Sequence, residues 1–293
     1  MNLARRPAVA GSFYPGSATA LESLVDGLLR EAQPRSRPGR ATGLPAGLLV
    51  PHAGLEFSGA VAAAGWAQLI DVGRETSIVI LGTNHGAAWL DGVGVWDRGR
   101  WLLPTGEVEI DEALATAIAA LGDPFGVDRE AHLSEHSIEV QLPLVHRCAP
   151  QARIVPLAVS TGRGHAARAA GRRLGELLRD ERGSGRSIVL AISTDMAHYP
   201  PADAAIRVTQ ELLPAIEGLL PEELARAEAA ERGANAGPGL VCGMCGIEPA
   251  VLGLAALRAM GATSGLALAS ATSADAGADP HRAVGYLSAV FWS

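Results

Sequence analysis

Residues 187–198 read Ser-Ile-Val-Leu-Ala-Ile-Ser-Thr-Asp-Met-Ala-His, and this stretch decides the fold. From Ile188 to Ile192 every residue is apolar, with no polar alternation. A strand of that kind has both faces buried, which belongs to a sheet covered by helices rather than to a sheet with one wet face. Polar groups (Ser193, Thr194, Asp195 and His198) arrive where the strand has to end.

Working outward, similar apolar runs recur at Gly47–Val50, Ser77–Leu81, Ile154–Val159, Gly265–Ala269 and Ala283–Val290. Helix-like stretches separate them at Gly59–Ile70, Asp111–Leu121, Gly164–Asp180, Pro221–Glu231 and Gly246–Met260. This alternation predicts an α/β fold with a central, largely parallel or mixed β-sheet flanked by helices. The last two strand runs lie close enough in sequence to pair antiparallel at one edge. A chain of 293 residues that is 48% apolar buries a sizeable core. It reads as one domain over residues 1–293, because the Pro/Arg/Gly-rich zone Gln33–Gly47 and the zone Gly233–Gly239 are too short and too apolar for interdomain linkers.

The net charge of −7 and the absence of any basic run argue against a nucleic-acid surface or a polybasic membrane patch, since both need clustered positive charge. Every basic residue is arginine, which with the Ala/Gly richness reads as compositional bias. Three cysteines, Cys148, Cys242 and Cys245, are too few and too unevenly spaced for a secreted disulfide framework. The segment Met1–Pro7 lacks the apolar stretch of a signal peptide, and no apolar run approaches the roughly 18–20 residues that span a bilayer. A reducing cytoplasm is therefore the expected compartment.

In open α/β sheets ligands bind beyond the carboxyl ends of the strands. His52 follows Leu48–Pro51, His85 follows Ile78–Asn84, and His198 follows the strand quoted above. Glycines beside the first two, Gly54 and Gly86, permit tight turns or close backbone approach. Asp195 and His198, three residues apart, either share one pocket as acid/base groups or form an ordinary turn. Cys242-Gly243-Met244-Cys245 is a CxxC before an apolar helix-like run, a place where a helix N-terminus favours the thiolate. With no second cysteine pair a Cys₄ zinc site is excluded, while a mixed His/Cys site stays open. Of the two thiols Cys245 sits nearer the helix start. Glu135-His136-Ser137-Ile138-Glu139 reads as a helix opening with Ser134 as N-cap, Ile138, Leu142 and Val145 as a buried stripe, and Pro143 as a kink or stop. Its charged cluster reads as a solvated first turn in preference to a pocket wall.

Six motifs in this order, Ala10–Pro15, Pro51–Gly54, Leu81–His85, Glu135–Glu139, Ser193–His198 and Cys245–Pro249, resemble the MEMO family, whose bacterial members are called AmmeMemoRadiSam system protein B. The likeness runs from about residue 5 to the C-terminus. The family is similar in fold to the class III extradiol dioxygenases. That resemblance implies a pocket in which His52, His85 and Cys245 hold a metal and Asp195 and His198 complete the site, with His198 as acid/base. Cysteine stands here where the dioxygenases use a carboxylate, and Gly86 stands where some relatives carry a second histidine. Only Cys245 is followed by the Pro249 and apolar helix that the family shows. The implied function is a redox enzyme using non-haem iron, with Fe(II) the expected metal and Cu or Zn the alternatives. A second expectation is a metal-containing module that docks a peptide or partner without turnover, AMMECR1-like and radical-SAM proteins being the partners the family name implies. A third is a hydrolase using Zn²⁺-activated water.

Overall fold

The computed structural model describes residues 3–32, 43–70, 76–162, 164–233 and 238–293. Among them the strands are β1 (Ala4–Arg5), β2 (Gly47–Val50), β3 (Ser77–Thr83), β4 (Gly92–Val95), β5 (Arg100–Leu103) and β6 (Gly106–Glu109), followed by β7 (Phe125–Val127), β8 (Arg153–Ser160), β9 (Ile188–Ser193), β10 (Ser264–Thr272) and β11 (Gly285–Trp292). The helices are α1 (Ala18–Glu31), α2 (Leu55–Trp66), α3 (Glu112–Ala119), α4 (Leu142–Cys148), α5 (His165–Gly183), α6 (Ala202–Glu217), α7 (Pro221–Arg232) and α8 (Ile247–Ala259).

The large sheet has the order β10-β11-β2-β9-β3-β8-β4-β7. Its centre, β2-β9-β3-β8, is parallel, whereas β11 meets β2 and β4 meets β8 antiparallel. The mixed sheet expected from the apolar runs is thus present, with β10 and β11 paired antiparallel at the edge. Every residue of β2, β3 and β9 is buried, so both faces of the central strands are covered.

One cover is the α5–α8 pair, and glycine makes it fit. A Cβ on Gly171 or Gly175 would lie 2.2 Å from the carbonyl oxygen of Leu252 or Ala256, and one on Gly253 would lie 2.5 Å from Ile192 of β9. At these positions the glycine richness has a packing role beyond composition, since any side chain would push the two helices and the sheet apart. Helix α2 packs on β2, β10 and β11, with α1 and α4 beside it.

The small sheet, β1-β5-β6, ties the chain's start to the hairpin before α3, and Arg5 of β1 reaches on to the segment before α4. Arg5 is buried, stacks 4.0 Å from the Trp101 ring centroid, and donates to the carbonyls of His132 and Glu135 at 2.8 Å each. It also pairs with Glu139, 2.6 Å away, which in turn accepts from the amides of Ala8 and Val9 and from the Tyr14 hydroxyl.

That arrangement corrects the reading of residues 134–145. No α-helix opens at Ser134: Glu139–Gln141 forms a single 3-10 turn and α4 starts at Leu142, with Pro143 in its first turn, where the missing N–H costs nothing. Nor is the charged cluster solvated, because Glu135 is 5% and Glu139 1% exposed. Ile138, Leu142 and Val145 are buried as expected. Most of the Gln33–Gly47 zone and residues 234–237 of the Gly233–Gly239 zone lie outside the described residues. Among the described residues no helix is long and apolar enough to cross a membrane.

Candidate metal centre

Strands β2, β9 and β3 are neighbours and parallel, so their carboxyl ends open on one edge of the sheet. Two residues beyond each end stands a polar side chain: His52 after Val50, Asp195 after Ser193, His85 after Thr83. The fourth segment arrives from the far end of the chain. The Cys245 amide donates to the Asp195 carbonyl at 3.2 Å and the Gly246 amide to Thr194 Oγ1 at 2.9 Å, which seats the start of α8 on the end of β9. A Cβ on Gly246 would fall 2.6 Å from Thr194, so only glycine allows this approach.

His52, His85 and Cys245 each present one ligand atom, all within 4.8 Å of one another, and Cys245 Sγ lies 3.2 Å from His52 Nε2. The neighbours decide which ring nitrogens face inward. Ser193 Oγ has a single hydrogen, which it donates to the Ser137 carbonyl at 2.6 Å. It must therefore accept from Gln141 Nε2 and from His52 Nδ1, both at 3.0 Å, which leaves the Nε2 lone pair of His52 free. For His85, Nδ1 donates to Glu135 Oε1 at 2.9 Å and the backbone amide donates to Oε2 at 2.8 Å. Glu135 also accepts from the amides of His136 and Ser137. Burial opposes its ionisation, but the His85 ring and these amides outweigh that and hold the carboxyl well below the usual range. Bonds of about 2.0–2.3 Å to zinc-like metals place neighbouring donors roughly 3–3.8 Å apart; the sulfur and His52 Nε2, 3.2 Å apart, fall in that range, and the His85 donor lies within 4.8 Å of both.

Asp195 and His198 reach the same place. Asp195 Oδ1 accepts from the amides of His52 and Ala53, at 2.7 and 3.2 Å, and fixes the turn that carries the first imidazole. Burial pushes its carboxyl up to about 7, those two amides pulling the other way. His198 Nε2 is buried without a hydrogen-bond partner, 3.9 Å from Asp195 Oδ2. Burial, then repulsion from His85 and His136, lowers the His198 imidazole to about 4.

Cys242 and Cys245 behave differently from each other. Asp195, His198 and Cys245 also bring one ligand atom apiece within 4.8 Å, whereas Cys242 belongs to no such group among the described residues and meets the site through its backbone carbonyl, which accepts from the His198 amide. The expectation that the start of α8 would lower the Cys245 thiol is not met in the metal-free chain. Burial, then the nearby Asp195 carboxyl, raises it well above the ordinary value, despite the hydrogen bond from the Asp195 amide.

One site residue was passed over in the sequence as a donor. His136 stacks on His85 with ring centroids 4.5 Å apart, stands 5.5 Å from His52, and makes a second donor group with His85 and Glu135. It follows no strand, and its only signal was its place between two glutamates. His52, His85, His136, Asp195 and His198 border a cavity of about 520 Å³ whose other walls include Phe13, Phe57, Tyr199 and Tyr286.

Comparison with known proteins places this geometry in company. A family model described as Memo-like protein matches residues 5–290. A MEMO1 family protein of Methanopyrus kandleri is 35% identical over 296 residues, covering 98% of both chains. One from Aquifex aeolicus is 36% identical over 289 residues, again covering 98% of each. In fold the chain is similar to the uncharacterized protein JW3007 from Escherichia coli K12, with a TM-score of 0.54 at 17% identity over 85% of this chain and 100% of that one.

Proposed function

The chain belongs to the Memo-like protein family, and from that premise we propose that it is a metal-dependent oxidoreductase that binds one ion, Fe(II) before Cu or Zn, through His52 Nε2, His85 Nε2 and Cys245 Sγ. The observation that carries the reading is the enforced tautomer of both imidazoles: Ser193 and Glu135 consume the two Nδ1 protons, so the two free lone pairs are the Nε2 ones. Two imidazoles and one anionic donor would hold such an ion, which when bound would supply redox chemistry there.

The chain's own residues do the remaining work. Glu135 and Ser193 hold the ring planes, and Asp195 holds the turn behind His52. His198, a neutral imidazole with an unspent Nε2, gives or takes a proton at a substrate hydroxyl. Phe13, Phe57 and Tyr286 give the cavity apolar walls. Thiolate in place of carboxylate adds a more strongly donating ligand.

Anaerobic loading with Fe(II) followed by elemental analysis tests the site. Wild type and His198→Ala should retain near-stoichiometric iron, while His52→Ala and His85→Ala should lose most of it. Oxygen uptake with small aromatic diols and thiols tests turnover, which His198→Ala should abolish. Iron retained in both His52→Ala and His85→Ala would refute the ligand set, and iron bound without oxygen uptake would refute the enzyme.

A further inference from the structure

We propose that the cavity takes a molecule with a flat apolar body and an anionic end, and that Arg282, stacked on the cavity-lining Tyr199 ring, binds that end. The inference deepens the function proposed above and rests on it only for treating this cavity as the substrate site.

Two features of the cavity define the body. Its volume, about 520 Å³, falls within the roughly 300–1,000 Å³ of small-molecule sites and suits one or two fused rings. Phe13, Phe57, Tyr199 and Tyr286 offer aromatic walls that favour a planar ligand over a branched one. Outside the donor set proposed for a metal, the interior offers little to the cationic group of a ligand. Glu135 is saturated by His85, His136 and Ser137, and Asp195 Oδ1 accepts two backbone amides.

A formal charge stands ready on one of those walls. Tyr199 adopts φ 71°, a left-handed conformation that a bulky residue takes only when its surroundings enforce it. Its amide donates to the Ala283 carbonyl at 2.7 Å, and Gly239 packs so close to its carbonyl that a Cβ there would lie 2.6 Å away. The result is a ring that borders the cavity, is 37% exposed, and carries the Arg282 guanidinium 4.2 Å from its centroid. Among the described residues Arg282 forms no ion pair. The acids nearest in sequence are engaged elsewhere: Asp275 accepts from the Thr272 amide and hydroxyl, Asp279 from the His281 amide. A guanidinium stacked on an aromatic face keeps its planar fork of N–H donors directed outward, the shape that matches a carboxylate or phosphate. The strained tyrosine therefore holds an uncommitted, preorganised anion receptor on a ring that borders an aromatic pocket.

The test uses the full chain stripped of metal by chelation, so that it does not depend on the ligand set above. Titration calorimetry would compare 2-naphthoate, neutral 2-naphthalenemethanol and cationic 2-naphthylmethylammonium. Naphthoate should bind at least about tenfold tighter than the alcohol, a difference of about 1.4 kcal/mol. Arg282→Gln should bring the two within about twofold without changing the alcohol's affinity, and Phe57→Ala should weaken both alike. The proposal fails if wild type shows no anion preference or favours the cation, if the preference survives Arg282→Gln, if Phe57→Ala leaves both affinities intact, or if no probe binds.

Discussion

Glu135→Gln is the substitution that most directly tests how the candidate centre is held together. The carboxylate accepts four N–H groups: the His85 amide on Oε2 at 2.8 Å, and on Oε1 the His85 ring at 2.9 Å with the amides of His136 and Ser137 at 2.9 and 2.8 Å. Glutamine has the same shape but only one acceptor oxygen. If that oxygen takes the Oε1 position, the new NH₂ faces the His85 amide donor to donor. If it takes the other, three donors are stranded. Leaving one buried donor unsatisfied costs about 1–3 kcal/mol, and hydrogen bonds to a charged acceptor are worth more than neutral ones. At roughly 2–4 °C per kcal/mol for a chain of this size, the metal-free variant should unfold several degrees lower. Loss of the charged partner also loosens the ring plane of His85, for which outer-shell substitutions elsewhere cost about 10–100-fold in metal affinity. Anaerobic Fe(II) competition against a chelator, alongside thermal unfolding of the metal-free protein, measures the two effects separately. An affinity within about twofold of wild type would refute the idea that Glu135 orients a ligand, whatever happens to the melting temperature.

Three further outcomes follow from the same geometry. Ser193→Ala should strand the His52 Nδ1–H, allow the other tautomer, and weaken Fe(II) binding by about tenfold in the chelator assay; unchanged binding would show that His52 needs no such lock. Cys245→Ser should lower iron content sharply while Cys242→Ser leaves it near wild type, and equal loss in both would point to a paired CxxC instead. Burial holds the His132 imidazole down to about 4, against about 6.5 in an unfolded chain. Its contribution is therefore fully present above about pH 6.5 and lost as pH falls toward 4, amounting to about 3 kcal/mol. Urea unfolding of wild type and His132→Gln between pH 7 and 4.5 measures this, and equal pH dependence in both would remove His132 as the cause.

The central strands were readable because they are wet on neither face: Ile78–Leu81 and Ile188–Ile192 are apolar without interruption, and so are visible without any partner. Strands β4 to β7 are three or four residues long, too short to carry a pattern of their own, and acquire their identity only by pairing. Helix α6 follows Pro200-Pro201 and contains Pro214, so local propensity argued against it and packing against β10 and β11 prevailed. Within the candidate site, His52, His85 and Asp195 were accessible because strand ends in a parallel sheet share one edge. Glu135 and His136 were not, since a charged residue in a turn looks solvated until its four donors, three of them backbone amides, are known.

The bond between Arg5 and Glu139 spans 134 positions of sequence, and the contact between His52 and Cys245 spans 193. On the ribosome, where the chain emerges from its amino terminus, these distances become delays. Phe13 and the segment anchored around it wait for Glu139, and both imidazoles of the donor set are exposed long before the sulfur exists. A nascent chain can hold its first two donors in place only as a partial chelate, open to whatever ion is abundant, and no shortened product carries the complete trio. If the trio holds an ion as proposed, the set is completed only when α8 docks on the end of β9.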